Sequence, residues 1–274
     1  MTVKPDQVKV IDADTHLTER HDLWTSRAPA GMKDRMPHVT DVDGQATWVI
    51  GGAVLGRAGA GGVVDKHSVK GRSFEALYEW EIDQIHEAAY DPVARVELMD
   101  EMGIWAHIIF PNVVGLGGQN ISEAVEDLAL RLLCVEIYND ANAEMQAHSN
   151  NRLLPMAILP AWDVDACVGE ARRAKALGLR GVNLTSDPQD QGAPDLANAE
   201  WDPLWEVCSS LELPVHFHIG SSLTTMTYFD TYPWPSHDDD TKLAIGGTLL
   251  FIGNARVVVN LICSGMLERY PELK

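Results

Sequence analysis

Positive charge is scarce in this chain. It carries 21 lysines and arginines against 40 aspartates and glutamates, a net charge of −19. A surface this acidic excludes nucleic acid and anionic membrane as expected partners, because both need a basic footprint. Cysteine is scarce too: Cys134, Cys167, Cys208 and Cys263 form no C-x-x-C pair. That excludes a disulfide scaffold and a zinc ribbon, and the four read as buried, reduced thiols of a cytoplasmic protein. The stretch 1–7 lacks the apolar core of a secretory leader, and the run Leu249–Ile252 is far too short to span a bilayer. No low-complexity tail and no solenoid-period repeat is present. What the chain does have is 274 residues with 46% hydrophobic content, enough for a core and near the size of an α/β barrel.

The first apolar segment ends in Asp12-Ala-Asp-Thr-His16. In a strand alternate side chains share a face, so Asp12, Asp14 and His16 are expected to point the same way. Two carboxylates and an imidazole are ligand types for a divalent metal, and they are costly to bury without a cation. The alternative is a strand end whose polar residues cap a turn.

Residues 20–89 break the regular pattern and read as an insertion near the active-site mouth. Thr47–Arg57 predicts a β-hairpin turning at Gly51-Gly52. The glycine-rich stretch after it lacks the G-K-[ST] ending of a phosphate loop. From Tyr90 strands and helices alternate. Helices are predicted over 92–102, 122–148, 163–177 and 203–211; strands over 106–110, 153–160, 179–184 and 213–220. Alternation at this spacing means a parallel sheet, either a barrel or a doubly wound fold.

The last of these strands carries His216-Phe-His218. Two imidazoles two residues apart share a face, and His218 lies nearer the C-terminal rim where barrels keep their chemistry. His218 is therefore the better ligand candidate, and deeper His216 either supports a ligand from behind or contacts substrate. Asn112 and Trp162, each following a strand, are further candidate substrate contacts. The run His237–Asp240 precedes a helix, where acidic groups favour the macrodipole.

These pieces carry a resemblance. Ile11–Glu19, Asp22-Leu-Trp24, Tyr90-Asp-Pro with Arg95 and Met99–Ile104, Leu159–Asp163, Arg180-Gly-Val182, Pro214–Gly220 and Ser264–Lys274 resemble the amidohydrolase-related family in order along the chain. The resemblance is to its branch of aminocarboxymuconate-semialdehyde and resorcylate-type decarboxylases. It implies a TIM-type (β/α)8 barrel of the metal-dependent hydrolase superfamily, with a β-hairpin insertion after strand one. It implies one divalent metal, zinc first with manganese or iron as alternatives, on Asp14, His16 and His218. Asp14 stands where the family more often has His or Glu. The implied activity is that of a hydrolase or carboxy-lyase on a small aromatic carboxylate, amide or lactone, through metal-activated water or metal-bound substrate. The implied assembly is a homo-oligomer.

The resemblance also implies a proton-transferring aspartate beyond Lys274. Five barrel strands are expected in this chain, so a single domain over 1–274 is expected to be C-terminally incomplete. Alone it is expected to be inactive. The competing reading is a catalytically inactive chain that binds a ligand without turnover.

Overall fold

Local punctuation sets where the elements begin and end. A computed structural model describes residues 8–59, 61–71, 80–230 and 234–274. Asp91 accepts from the N–H groups of Val93 and Ala94, Pro92 occupies the first turn, and Gly103 at φ 72° closes helix α1, Pro92–Met102. Strand β1, Val10–His16, precedes it, and between them lies a three-stranded antiparallel sheet of β2 (His38–Val42), β3 (Gln45–Ile50) and β4 (Ala53–Arg57). Gly51 and Gly52, at φ 56° and 90°, make the expected hairpin turn. Strand β2 was not expected; Asp43 and Gly44, at φ 55° and 82°, turn it onto β3.

The alternating part follows. Strand β5 is Ile104–Phe110, helix α2 Gln119–Ala124 and helix α3 Leu128–His148. The single helix expected over 122–148 is therefore two, because Asp127 caps a new start by accepting from Ala129 and Leu130. Strands β6 (Leu153–Pro155) and β7 (Ala157–Ile158) lead to helix α4 (Val164–Leu177) and strand β8 (Val182–Asn183). Helix α5 (Asp202–Ser210) and strand β9 (Val215–His216) follow, then helices α6 (Leu223–Asp230), α7 (Asp239–Cys263) and α8 (Met266–Arg269).

Parallel pairing runs β1–β5–β6 and β7–β8–β9. Residues 153–158 join the two sheets: the Met156 N–H donates to Ile109, and the next N–H, of Ala157, donates to Gly181. As β7 leaves β5, its inner edge is taken over by one side chain. The Asn139 amide of α3 donates to the Ile158 carbonyl at 2.9 Å and accepts from the Ile158 N–H at 3.0 Å, copying a strand's two bonds. Asn139 also donates to buried Glu170 at 2.6 Å, which Arg173 holds through two 2.8 Å bonds.

The sheet is strongly curled. In a flat sheet four strand spacings, about 19 Å, would separate the ends of β1 and β9. Instead Asp14 at the end of β1 lies 3.0 Å from His218, just beyond β9. Strand β9 is shorter than expected, and the Val215 N–H donates to the Lys274 carbonyl at 2.8 Å. One core, around Trp201, Trp205 and Leu184, packs α4 and α5 on the sheet. A second, around Trp24, Trp48, Ile50 and Tyr138, joins the antiparallel sheet to α3. It is pinned by the Trp24 indole donating to the Cys134 carbonyl at 3.0 Å.

Two expectations change. Cys134, Cys167 and Cys208 are buried, but Cys263 is exposed at the end of α7. The short apolar run at 249–252 lies in the 25-residue α7, which is long and apolar enough to cross a membrane by length and composition. In this structure Gly246, Leu250, Gly253 and Val257 form its buried stripe, and it packs against α6.

Candidate metal centre

Asp14, His16 and His218 converge. One ligand atom of each lies within 4.8 Å of the other two. His218 Nε2 is 3.0 Å and His16 Nε2 3.9 Å from Asp14 Oδ1, and the two rings meet edge-on at 5.0 Å. The backbone orients both histidines. His16 Nδ1 faces the Pro111 carbonyl at 3.2 Å, and His218 Nδ1 faces the Ile219 carbonyl at 2.7 Å. A carbonyl only accepts, so each Nδ1 carries the hydrogen and each Nε2 presents a lone pair.

Two imidazole lone pairs and a carboxylate in so small a space fit a divalent cation. Between His218 Nε2 and Asp14 Oδ1, both acceptors, only a proton or a cation relieves the repulsion. Three protein ligands also leave coordination positions open, as in catalytic rather than structural sites. When His218 Nε2 carries a proton in place of a cation, its hydrogen bond holds the Asp14 carboxyl below its ordinary range, against the opposing effect of burial. Burial, helped by His218, holds His16 below the usual imidazole range and therefore neutral.

Asp12 does not join them. The pairing of β1 with β5 is irregular between Asp12 and Thr15, so regular alternation does not run unbroken from Asp12 to His16. Asp12 lines a cavity of about 470 Å³ with Arg95, His107 and His16.

Beside the convergent trio is a cavity of about 550 Å³. His16, Glu19, His21, Trp48, Leu55, Arg57, Asn112 and Leu116 are among its walls, so the antiparallel sheet supplies one side. Asn112 is in place there, with its amide donating to the Leu17 carbonyl at 3.1 Å. His216 is not among the lining residues; it sits edge-on to Phe110 at 5.7 Å, and burial lowers its pKa. Trp162 lies under the Arg131 guanidinium at 5.5 Å, also away from that cavity. The sequence did not single out Glu19, His21, Trp48 or Arg57. Glu19 lies at the end of the Ile11–Glu19 motif, but nothing in its spacing shows that it is buried.

The family profile described as Amidohydrolase matches residues 11–274. A gamma-resorcylate decarboxylase from a Polaromonas species is 28% identical over 188 residues, 66% of this chain and 52% of that protein. The chain thus spans about half the length of the curated relatives it matches. An amidohydrolase from Mycobacterium avium subsp. paratuberculosis superposes with a TM-score of 0.70 at 21% identity, covering 97% of this chain and 71% of that one. A 5-carboxyvanillate decarboxylase from Novosphingobium aromaticivorans, solved with manganese and a hydroxy-methoxy-nitrobenzoic acid, gives 0.60 at 19% identity, covering 100% and 66%.

Proposed function

Because this chain belongs to the amidohydrolase family, we propose that it forms the metal-binding part of a (β/α)8-barrel carboxy-lyase for a small hydroxylated aromatic carboxylate. The observation that carries this reading is the convergence of Asp14, His16 and His218, of which His16 also lines the 550 Å³ cavity. A divalent cation held by these three would orient the substrate's anionic oxygens and draw charge from them. The relatives that are decarboxylases, and the manganese in one of them, support a carboxy-lyase and leave zinc without preference.

The chain's own side chains suit the rest. Trp48, Leu55 and Leu116 offer apolar wall for an aromatic ring. Asn112 is fixed by its bond to Leu17 and presents a set edge to the cavity. In decarboxylation the bond from ring to carboxyl carbon breaks, carbon dioxide leaves, and the electron pair stays on the ring carbon until a proton replaces it.

The test is the natural protein, loaded with manganese and given a panel of hydroxybenzoates, aromatic amides and lactones. Released carbon dioxide and the matching phenol are expected, and both should vanish in Asp14→Ala and His218→Ala. Hydrolysis of an amide or lactone without release of carbon dioxide would overturn the carboxy-lyase reading. Turnover unchanged in both variants would overturn the site.

A further inference from the structure

Glu19 is the buried acid for which the metal reading has no use. The residue is only 6% exposed, and no cation acts on its carboxyl among the described residues. Burial raises its pKa, against the lowering effect of N–H donors from Asn112 and Val113. A carboxylate kept in such a place has a structural reason to be there.

The bonds show what it holds. Glu19 Oε1 accepts from the Asn112 N–H at 2.8 Å and the Val113 N–H at 3.3 Å. These are the first two residues after Pro111, whose carbonyl faces His16 Nδ1 at 3.2 Å. The same turn is tied back to the first strand's continuation, because the Asn112 amide donates to the Leu17 carbonyl. The turn at the end of β5 is therefore clamped from one side by Glu19 and grips His16 from the other. If the clamp opened, the Pro111 carbonyl would lose its fixed position. His16 would then lose one of the two backbone carbonyls, of Pro111 and Phe110, that favour hydrogen on Nδ1 and a lone pair on Nε2.

We infer that Glu19 is a positioning residue for the metal centre, acting on His16 through the 111–113 turn. The inference rests on the metal-site reading above. It is specific about mechanism: what matters is an acceptor oxygen at the Oε1 position, not the negative charge itself. Glu19 borders the 550 Å³ cavity, but its proposed action on the cation runs through the 111–113 turn and His16 rather than through direct contact. Outer partners of a ligating histidine typically change metal affinity by about 10–100-fold when removed.

The experiment titrates manganese into the purified chain and reads the imidazole nitrogen shifts of His16 in the metal-free protein by NMR. In the wild type the shifts should report hydrogen on Nδ1. Glu19→Ala should weaken manganese binding by about 10–100-fold and shift the His16 signals toward mixed tautomers. Glu19→Gln keeps an acceptor oxygen and should stay within about threefold of wild type with the wild-type tautomer. Glu19→Asp keeps the charge but withdraws it by one methylene, and should follow Glu19→Ala. This variant decides the matter if Glu19→Ala does not fold.

Wild-type affinity and tautomer in the Asp or Ala variant would overturn the inference. So would a large loss in Glu19→Gln. Failure of the underlying metal reading looks different: wild type would not bind manganese, or His16→Ala would bind as wild type does.

Discussion

Asn139 offers the sharpest test of how the curled sheet is held. Its side-chain amide stands in for a missing neighbour strand, bonding both the N–H and the carbonyl of Ile158. Asn139→Leu keeps the branching and the number of side-chain heavy atoms, and being somewhat larger it opens no cavity. It leaves two buried backbone groups unpaired, and each costs about 1–3 kcal/mol. Glu170 loses one donor as well, but Arg173 still holds it through two bonds. The expected loss is therefore about 4 kcal/mol, a large part of the stability of an ordinary domain. In urea, with a slope of about 3 kcal/mol/M, the midpoint should fall by about 1.3 M at unchanged slope. Asn139→Asp is the informative partner. It retains an acceptor for the Ile158 N–H but sets a carboxylate against Glu170, which lies 2.6 Å from the present amide. It should destabilise at least as much as leucine at neutral pH. A loss below about 1 kcal/mol in Asn139→Leu would refute the reasoning, since it would mean that solvent or a shifted strand satisfies Ile158 at little cost.

Two further outcomes follow from the same structure. An added Cβ on Gly117 would lie 2.3 Å from the Ser221 carbonyl oxygen, a backbone atom that cannot swing away. Gly117→Ala should cost about 3 kcal/mol in chemical unfolding, the upper end for overpacking, whereas Gly169→Ala, in the exposed face of α4 with open space around it, should gain about 0.5–1 kcal/mol. The second concerns acid. Burial holds His16 below its ordinary value of 6.5, so the unfolded chain binds that proton more readily than the folded one. The stability associated with neutral His16 is present above pH 6.5 and is lost as pH falls through the lowered folded value. In the metal-free chain, wild type should therefore lose more stability than His16→Gln between neutral pH and pH 5, as followed by urea midpoints. Equal slopes would contradict it.

Much of this arrangement was legible in the residues. The Asp91-Pro92 start and Gly103 stop of α1, the Gly51-Gly52 hairpin and the strand–helix alternation rest on local chemistry that the sequence displays. The residue types at the strand ends pointed to a ligand cluster, and the family resemblance narrowed it to Asp14, His16 and His218, which converge. Other features depend on what the chain meets only when folded. Asp127 starts a helix inside a continuous helical pattern, and periodicity alone does not mark a cap. Asp12 is not among the converging ligand groups, and β1 pairs irregularly with β5 between Asp12 and Thr15, a property of two strands rather than one. Trp48 and Arg57 reach the cavity beside His16 from a sheet far along the sequence, and no spacing rule connects them. Cys263 reads as apolar and helical, which it is, but the helix turns that end to solvent.

The central claim is that Asp14, His16 and His218 together hold one divalent cation. Equilibrium titration of manganese into the metal-free chain, repeated with Asp14→Ala, His16→Ala and His218→Ala, tests it most directly. The expected result is one ion per chain in the wild type and an affinity loss of more than about 100-fold in each variant, beyond what an outer partner supplies. Stoichiometric binding that survives all three substitutions would contradict the claim, as would a wild-type chain that binds no ion.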